Sequence, residues 1–271
     1  MSYKRKSAII IPFVILLLVM CFWNGESVNS AMAFVSHSYI ANDVRYHMDE
    51  ASIRLHAFVS QENHLQADQL QWAIFHDQGY SDGKLEKATM PGAKDQNLLK
   101  VSLLSGQPYA GIHAYRDLPP NNKASAFHMH IRFYFPDKKS IQALEFTMNK
   151  WSQNQRWEWA LQWQVVPDGS SFQGKAETWR VWDGAHWQDI EVQQTLSAAA
   201  WHTLDLYGII ENGHVRYQTF RSDGRIVNIQ HYTFPLINSP GEKLAVGVQL
   251  DGNAYQNPYP LYLDDVSLES S

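Results

Sequence analysis

Five pairs of a turn-forming residue with glycine punctuate the chain: Asp82-Gly83, Asp183-Gly184, Asn212-Gly213, Asp223-Gly224 and Asp251-Gly252. Between them lie short runs rich in β-branched and aromatic residues, among them "FHMHIRFYF", "WEWALQWQ", "WHTLDLYGII", "HVRYQTF" and "KLAVGVQL". Such pairs supply the positive φ that tight hairpins demand, and apolar-polar alternation over runs this short is a strand pattern. The runs are separated by turns rather than by helices. The chain therefore reads as all-β, an antiparallel β-sandwich. It has no internal repeat of roughly 20 to 50 residues, which argues against propellers and solenoids.

The N-terminus has a different composition. Lys4, Arg5 and Lys6 precede an apolar run from Ala8 to Trp23, and a short polar stretch then ends in Ala31-Met32-Ala33. This is the pattern of a secretory signal peptide, so residues 1–33 are expected to be removed and the domain to be secreted. The run is longer than a usual signal core yet short of the ~20 residues that span a bilayer comfortably. An uncleaved membrane anchor with an extracytoplasmic domain is thus the alternative. Cys21, the one cysteine of the chain, falls in this segment, and Met20 stands where a lipoprotein site needs a small residue. The domain must then hold together without disulfides, through its core or a metal. Removing three of the 22 basic residues and one of the 27 acidic ones with the leader leaves a net charge near −7. That balance, with no basic stripe, excludes a nucleic-acid partner and contact with anionic lipid. Residues 34–69 are polar, with neither glycine nor proline from 36 to 69. They are expected to form a helical or loosely ordered arm ahead of a domain at 70–271, which is expected to be monomeric.

Within that domain, alternation sorts side chains by face. In the run from Trp157 to Gln164, Trp157, Trp159, Leu161 and Trp163 share one face, while Glu158, Ala160, Gln162 and Gln164 share the other. An apolar row opposite a mostly polar one is a half-buried strand, so the indoles read as core. The same reasoning puts Phe127, Met129, Ile131, Phe133 and Phe135 inside, and His128, His130, Arg132 and Tyr134 outside. For the next run, Leu144, Phe146 and Met148 point in; Glu145, Thr147 and Asn149 point out. A face made only for solubility is rich in Lys, Glu, Thr and Ser. These three outward faces carry His, Arg, Tyr, Glu, Asn and Gln, which hydrogen-bond polyols or move protons. Trp182, at the mouth of an Asp-Gly hairpin, and Tyr255, in a Pro- and Asn-rich loop, are candidate platforms for a sugar ring.

The segment at 201–224, "WHTLDLYGIIENGHVRYQTFRSDG", resembles a hairpin of concanavalin A-like lectin and glucanase jelly rolls. "FHDQGYSDGKLEKA" and "NLLKVSLLSGQPYAGIHAYRDL" are similar to the opening of jelly-roll carbohydrate-binding modules, and "LYLDDVSLES" at 261–270 to their closing strand. The resemblance implies a jelly roll with a concave face for a polysaccharide chain. It also implies a structural calcium on the closing strand; Asp264 and Asp265 alternate in face, which favours Asp265, with Asp77 and backbone carbonyls as companions. The family 16 glycoside hydrolases on this scaffold need two carboxylates about 5–5.5 Å apart on one strand for a retaining mechanism. Here Glu145 alone matches. Alginate-type lyases use Arg, amide, His and Tyr side chains, a set that His130, Arg132 and Tyr134 match in type, although the strings characteristic of that family are missing.

The expected function is non-catalytic polysaccharide binding through His128, His130, Arg132, Tyr134, Glu145, Asn149, Glu158, Gln162, Trp182 and Tyr255. Cleavage of uronate polymers by a lyase mechanism, or a purely structural role in a cell envelope, are the alternatives.

Overall fold

The computed structural model describes residues 63–65 and 71–271, except for 77–78, 95–96, 166–175, 231 and 235–236. The leader at 1–33, most of the arm at 34–69, and Asp77 lie outside the described residues. All described residues fall in the compact unit Phe58–Ser271.

Seventeen strands follow one another along it. The first six are β1 (Asn63–Leu65), β2 (Ala73–His76), β3 (Ser81–Ala88), β4 (Leu98–Gly106), β5 (Gly111–Leu118) and β6 (Ala126–Phe135). Then come β7 (Ile141–Ser152), β8 (Gln155–Gln164), β9 (Thr178–Trp182), β10 (Trp187–Gln193), β11 (Ala200–Glu211) and β12 (His214–Ser222). The last are β13 (Arg225–Asn228), β14 (Thr233–Phe234), β15 (Ile237–Asn238), β16 (Lys243–Gly252) and β17 (Tyr259–Ser270).

They form two antiparallel sheets. The first runs β13-β12-β11-β6-β17-β4-β3, with β1 on β17 and β14 on β12; the second runs β10-β9-β8-β7-β16-β5-β2, with β15 on β8. From β4 to β7 the chain changes sheet at every step, as it does again from β16 to β17. The product is the expected jelly-roll sandwich. Two-residue turns close the hairpins at Gln153-Asn154, Asn212-Gly213 and Asp223-Gly224, all with positive φ. Two of the expected turn pairs serve otherwise: Asp82-Gly83 lies inside β3 and Asp251-Gly252 at the end of β16, each beside a register shift. There the pair bends a strand rather than reversing it.

The core lies between the sheets, and the alternation of the sequence selects it. Trp159, Leu161 and Trp163 are wholly buried and Trp157 nearly so, together with all five inward residues of β6 and with Leu144, Phe146 and Met148 of β7. The buried indoles of β8 each find a partner for their N–H, Trp157 Nε1 donating to the Gly213 carbonyl at 3.3 Å. Trp159 Nε1 donates to the Arg216 carbonyl at 3.1 Å and Trp163 Nε1 to that of Gln194 at 2.9 Å. Trp159 fits because β11 carries glycine opposite it: a Cβ on Gly208 would stand 2.3 Å from the indole nitrogen. Within the expected arm, Asn63–Leu65 is not helical. It pairs with β17 at Val266–Leu268, on the stretch that β4 leaves open beyond Leu263. An edge with unpaired backbone groups recruits a strand whatever the local propensity.

Candidate functional site

The outer face of the second sheet carries a trough of ≈ 960 Å³. Its lining is set by strand register. One row crosses the sheet from Phe75 on β2 through His113 on β5, Gln249 on β16 and Glu145 on β7 to Gln162 on β8 and Arg180 on β9. A second row passes Tyr115, Gly247, Thr147 and Ala160, a third Asp117, Ala245, Asn149 and Glu158. A fourth holds Lys243, Trp151 and Arg156. Apart from Glu145, the middle of the floor is small or uncharged, whereas aromatic rings stand at both margins: Phe75 and Tyr115 on one side, Trp182 and Trp187 on the other. Four strand intervals separate β5 from β9, a span of ~19 Å at ~4.8 Å per strand.

Hydrogen bonds fix the first row. Gln162 Nε2 donates to Glu145 Oε1 at 2.8 Å, and Arg180 Nη1 to Gln162 Oε1 at 3.4 Å. The cations of the trough are matched by carboxylates. Lys243 Nζ lies 2.9 Å from Asp117 and also over the Trp151 ring, and Arg156 Nη2 lies 2.9 Å from Glu158. Counting Glu145 as well, three carboxylates face two cations. His113 adds no charge near neutral pH, because burial, assisted by the Arg156 charge, lowers its pKa to about 4.

His113 can sit so deep because residue 247 is glycine. A Cβ there would stand 2.3 Å from His113 Nε2 and 2.9 Å from Thr147 Oγ1. Both atoms, and Asn149 Oδ1 one row away, are buried and make no hydrogen bond within the protein. Buried polar atoms of this kind are normally satisfied, by water or ligand if not by protein. Trp182 is placed by the other sheet. The β8–β9 ladder ends at the pair Leu161–Val181, and the Tyr217 hydroxyl enters beyond it. That hydroxyl accepts from Ala160 N at 2.8 Å and lies 3.1 and 3.0 Å from the carbonyls of Ala160 and Trp182, to either of which it donates. Burial pushes its pKa up, so it stays a phenol and a donor.

The expected site divides. Glu145, Asn149, Glu158 and Trp182 line the trough, with Gln162 buried beside Glu145. His128, His130, Arg132 and Tyr134 do not join them, because β6 belongs to the other sheet and its outward face is the far side of the molecule. There His128 Nε2 and His130 Nδ1 both approach Asp205 Oδ1, at 2.9 and 2.8 Å. His128 stacks on Tyr207, and Arg132 lies over Trp201. Burial raises the Asp205 pKa, but the two imidazoles outweigh it and hold the carboxyl well below its usual range. Tyr255 sits apart from both faces, in the β16–β17 loop.

Asp264 and Asp265 do not alternate as a regular strand would require. Asp265 has φ 52 and lies in a bulge between the pairs Asp264–Arg132 and Ser267–His130. Both carboxylates thereby reach Lys94: Asp264 accepts from its backbone N at 2.8 Å and Asp265 pairs with its ammonium. Asp264, 2% exposed, also pairs with Arg132. These residues as placed do not fit a calcium ion, since two protein cations already neutralise them. Among the described residues no group of three or more His, Cys, Asp or Glu side chains is arranged to hold a metal.

Trough residues absent from the sequence-based expectation are His113, Tyr115, Gln249, Trp151, Arg156, Lys243, Phe75 and Trp187. Alternation in "GIHAYRDL" and "KLAVGVQL" does place His113, Tyr115, Gln249 and Lys243 on outward faces.

No family model matches the sequence, and no curated protein matches it. Solved structures do. A cellulose-induced protein is 12% identical over 74% of this chain and 92% of its own, with a TM-score of 0.46. An endo-β-1,4-glucuronan lyase from the fungus Trichoderma reesei is 12% identical over 73% and 95%, with a TM-score of 0.45. Peanut lectin is 8% identical over 74% and 97%, again with a TM-score of 0.45.

Proposed function

We propose that the chain is a carbohydrate-binding protein, exported after loss of residues 1–33, that holds a neutral polysaccharide in the trough of the second sheet without cleaving it. The observation that carries this is the lining itself: a floor whose unsatisfied polar atoms belong to uncharged side chains and whose cations are already paired, between aromatic margins ~19 Å apart. Rings at the margins offer faces to sugar C–H groups, and the floor offers His113, Thr147 and Asn149 to hydroxyls. Charge argues for a neutral chain over a uronate polymer, because Lys243 and Arg156, the cations of the lining, are already matched by Asp117 and Glu158. Cleavage by paired carboxylates is disfavoured by distance. Glu158 lies opposite Asn149, four residues along from Glu145. That offset puts the two carboxylates' strand positions ~14 Å apart, beyond the ~5–9.5 Å that either glycosidase mechanism uses.

A second reading, elimination on a uronate polymer, is favoured by one observation: the neutral imidazole of His113 shares the trough with Tyr115 and Gln249. These residues, rather than His130, Arg132 and Tyr134, would then carry the chemistry.

The test is titration of purified 34–271 with hydroxyethyl cellulose, xylan, galactomannan and alginate, following tryptophan fluorescence together with the ultraviolet absorbance of unsaturated uronate. A saturable fluorescence change with a neutral polymer at flat absorbance is expected. Trp182→Ala should weaken that binding about tenfold, ~1.4 kcal/mol. Rising absorbance with alginate replaces the proposal with the second reading, and no response to any polymer refutes both.

A further inference from the structure

Three loops meet at the end of the sandwich where β5 begins and β16 ends. Each turns a tyrosine to solvent: Tyr80 ahead of β3 is 62% exposed, Tyr109 between β4 and β5 is 38%, and Tyr255 between β16 and β17 is 79%. Among the described residues five large apolar side chains are more than a third exposed, and these are three of them.

The loops are fastened to one another. Gln107 N donates to the Tyr80 carbonyl at 2.8 Å, Tyr109 N to that of Asn253 at 3.3 Å, and Gly252 N to that of Ala110 at 3.1 Å. Two buried amides lock the arrangement: Asn253 Nδ2 donates to the Lys139 carbonyl at 2.6 Å and Gln256 Nε2 to the Ala110 carbonyl at 3.1 Å. Tyr109 and Gln256 hold left-handed backbone, at φ 63 and 47. Residues other than glycine keep such conformations only where the surroundings enforce them, and they gather at binding sites. A loose loop would fold its ring inward. These loops hold theirs out, so a ligand meets rings that are already ordered.

The chemistry of the surface selects the ligand. Residues 107–111 and 253–260 contain no charged side chain, only tyrosine, amide, proline, glycine and alanine. The Tyr80 loop adds one carboxylate, Asp82, which accepts from the Tyr80 hydroxyl at 3.4 Å; phenol faces among amides suit the C–H faces and hydroxyls of a neutral sugar, and offer nothing to a polyanion. The surface adjoins the trough along the chain. His113 lies two residues beyond Gly111 on β5, and Phe75 of the trough precedes His76, whose ring stacks on Tyr80 at 5.9 Å.

We infer that Tyr80, Tyr109 and Tyr255 form a second set of subsites, engaged by a neutral polysaccharide long enough to extend beyond the Phe75 margin of the trough. This rests on the trough being the first contact. Its consequence is that affinity depends on chain length, since a second contact on one tethered chain multiplies the first.

The experiment compares wild-type 34–271, Tyr109→Ser/Tyr255→Ser and Trp182→Ala. Isothermal titration uses whichever of hydroxyethyl cellulose, xylan or galactomannan binds the wild type, and a tetrasaccharide cut from the same polymer. Both tyrosines are solvent-exposed, so the double variant is expected to keep the wild-type circular dichroism spectrum. It should bind the polymer at least tenfold more weakly and the tetrasaccharide within twofold of wild type, while Trp182→Ala weakens both. Unchanged polymer affinity in the double variant, with loss in Trp182→Ala, overturns the second subsites and leaves the trough standing. Loss in the double variant, with none in Trp182→Ala, overturns the trough and keeps the tyrosine surface. A wild-type dimer that the double variant dissolves, with polymer affinity unaltered, makes the patch a self-association surface and refutes the inference. Absence of binding to all three polymers refutes both.

Discussion

At His113 the fold keeps an imidazole that titrates near 4 instead of near 6.5, the value expected once the chain unfolds. Between those pH values the unfolded chain binds a proton that the folded one refuses, so stability falls as pH drops from about 6.5 to about 4 and levels off below. The loss approaches ~1.4 kcal/mol per pH unit for one such group. Urea midpoints measured across this range should show that slope, and His113→Gln should remove its share of it; a variant with the wild-type slope would show that His113 titrates normally. The neighbouring glycine makes a separate claim. In Gly247→Ala the new Cβ meets His113 Nε2 and Thr147 Oγ1, so the imidazole has to move. Overpacking of this sort destabilises by ~1–3 kcal/mol, and binding of the neutral polymer should fall with it. Both residues were legible in part. Alternation puts His113 on an outward face, but its depth depends on a glycine of β16, 134 residues further along the chain, and no local pattern announces that pairing.

At the scale of elements, alternation within a strand reports inside from outside with high fidelity. Every residue assigned to the inner faces of β6, β7 and β8 is buried. It does not report which sheet a strand joins. β6 and β7 are consecutive and alike in pattern, yet they lie in opposite sheets, so their outward side chains face opposite ways from the molecule. The expected residues are therefore divided between two faces: those of β7 and β8 line the trough, and those of β6 form a cluster on the opposite side of the sandwich. The closing strand shows a different limit, for a bulge at Asp265 cancels the alternation that would have separated two aspartates. Because Arg132 is the buried partner of Asp264, Arg132→Met should destabilise by ~3 kcal/mol in urea unfolding, as breaking such a pair leaves a charge uncompensated. Calcium and a chelator should give the same thermal midpoint, and a rise with calcium would reveal a cage outside these residues. Tyr217 joins element to function. Removing its hydroxyl in Tyr217→Phe leaves the buried Ala160 N–H without its acceptor, which costs ~1–3 kcal/mol, and frees the end of β9 that carries Trp182. Weaker binding of neutral polymer by a variant that is still folded is the expected outcome.

For the molecule as a whole, binding of the proposed neutral polymer should be insensitive to ionic strength, because an uncharged ligand has no charge–charge attraction to screen. Titrations at low and high salt should agree within twofold; a steep loss with salt would mean that charge, and hence an acidic polymer, drives association. The order of the strands bears on how the protein is made. β17, the last strand, lies in the interior of the first sheet, between β6 and β4, and the β3–β4 pair joins that sheet only through it. During synthesis the first sheet is in two pieces until residues 259–270 have left the ribosome, and contacts so distant in sequence form slowly. A nascent chain of this design cannot close its core until translation is finished.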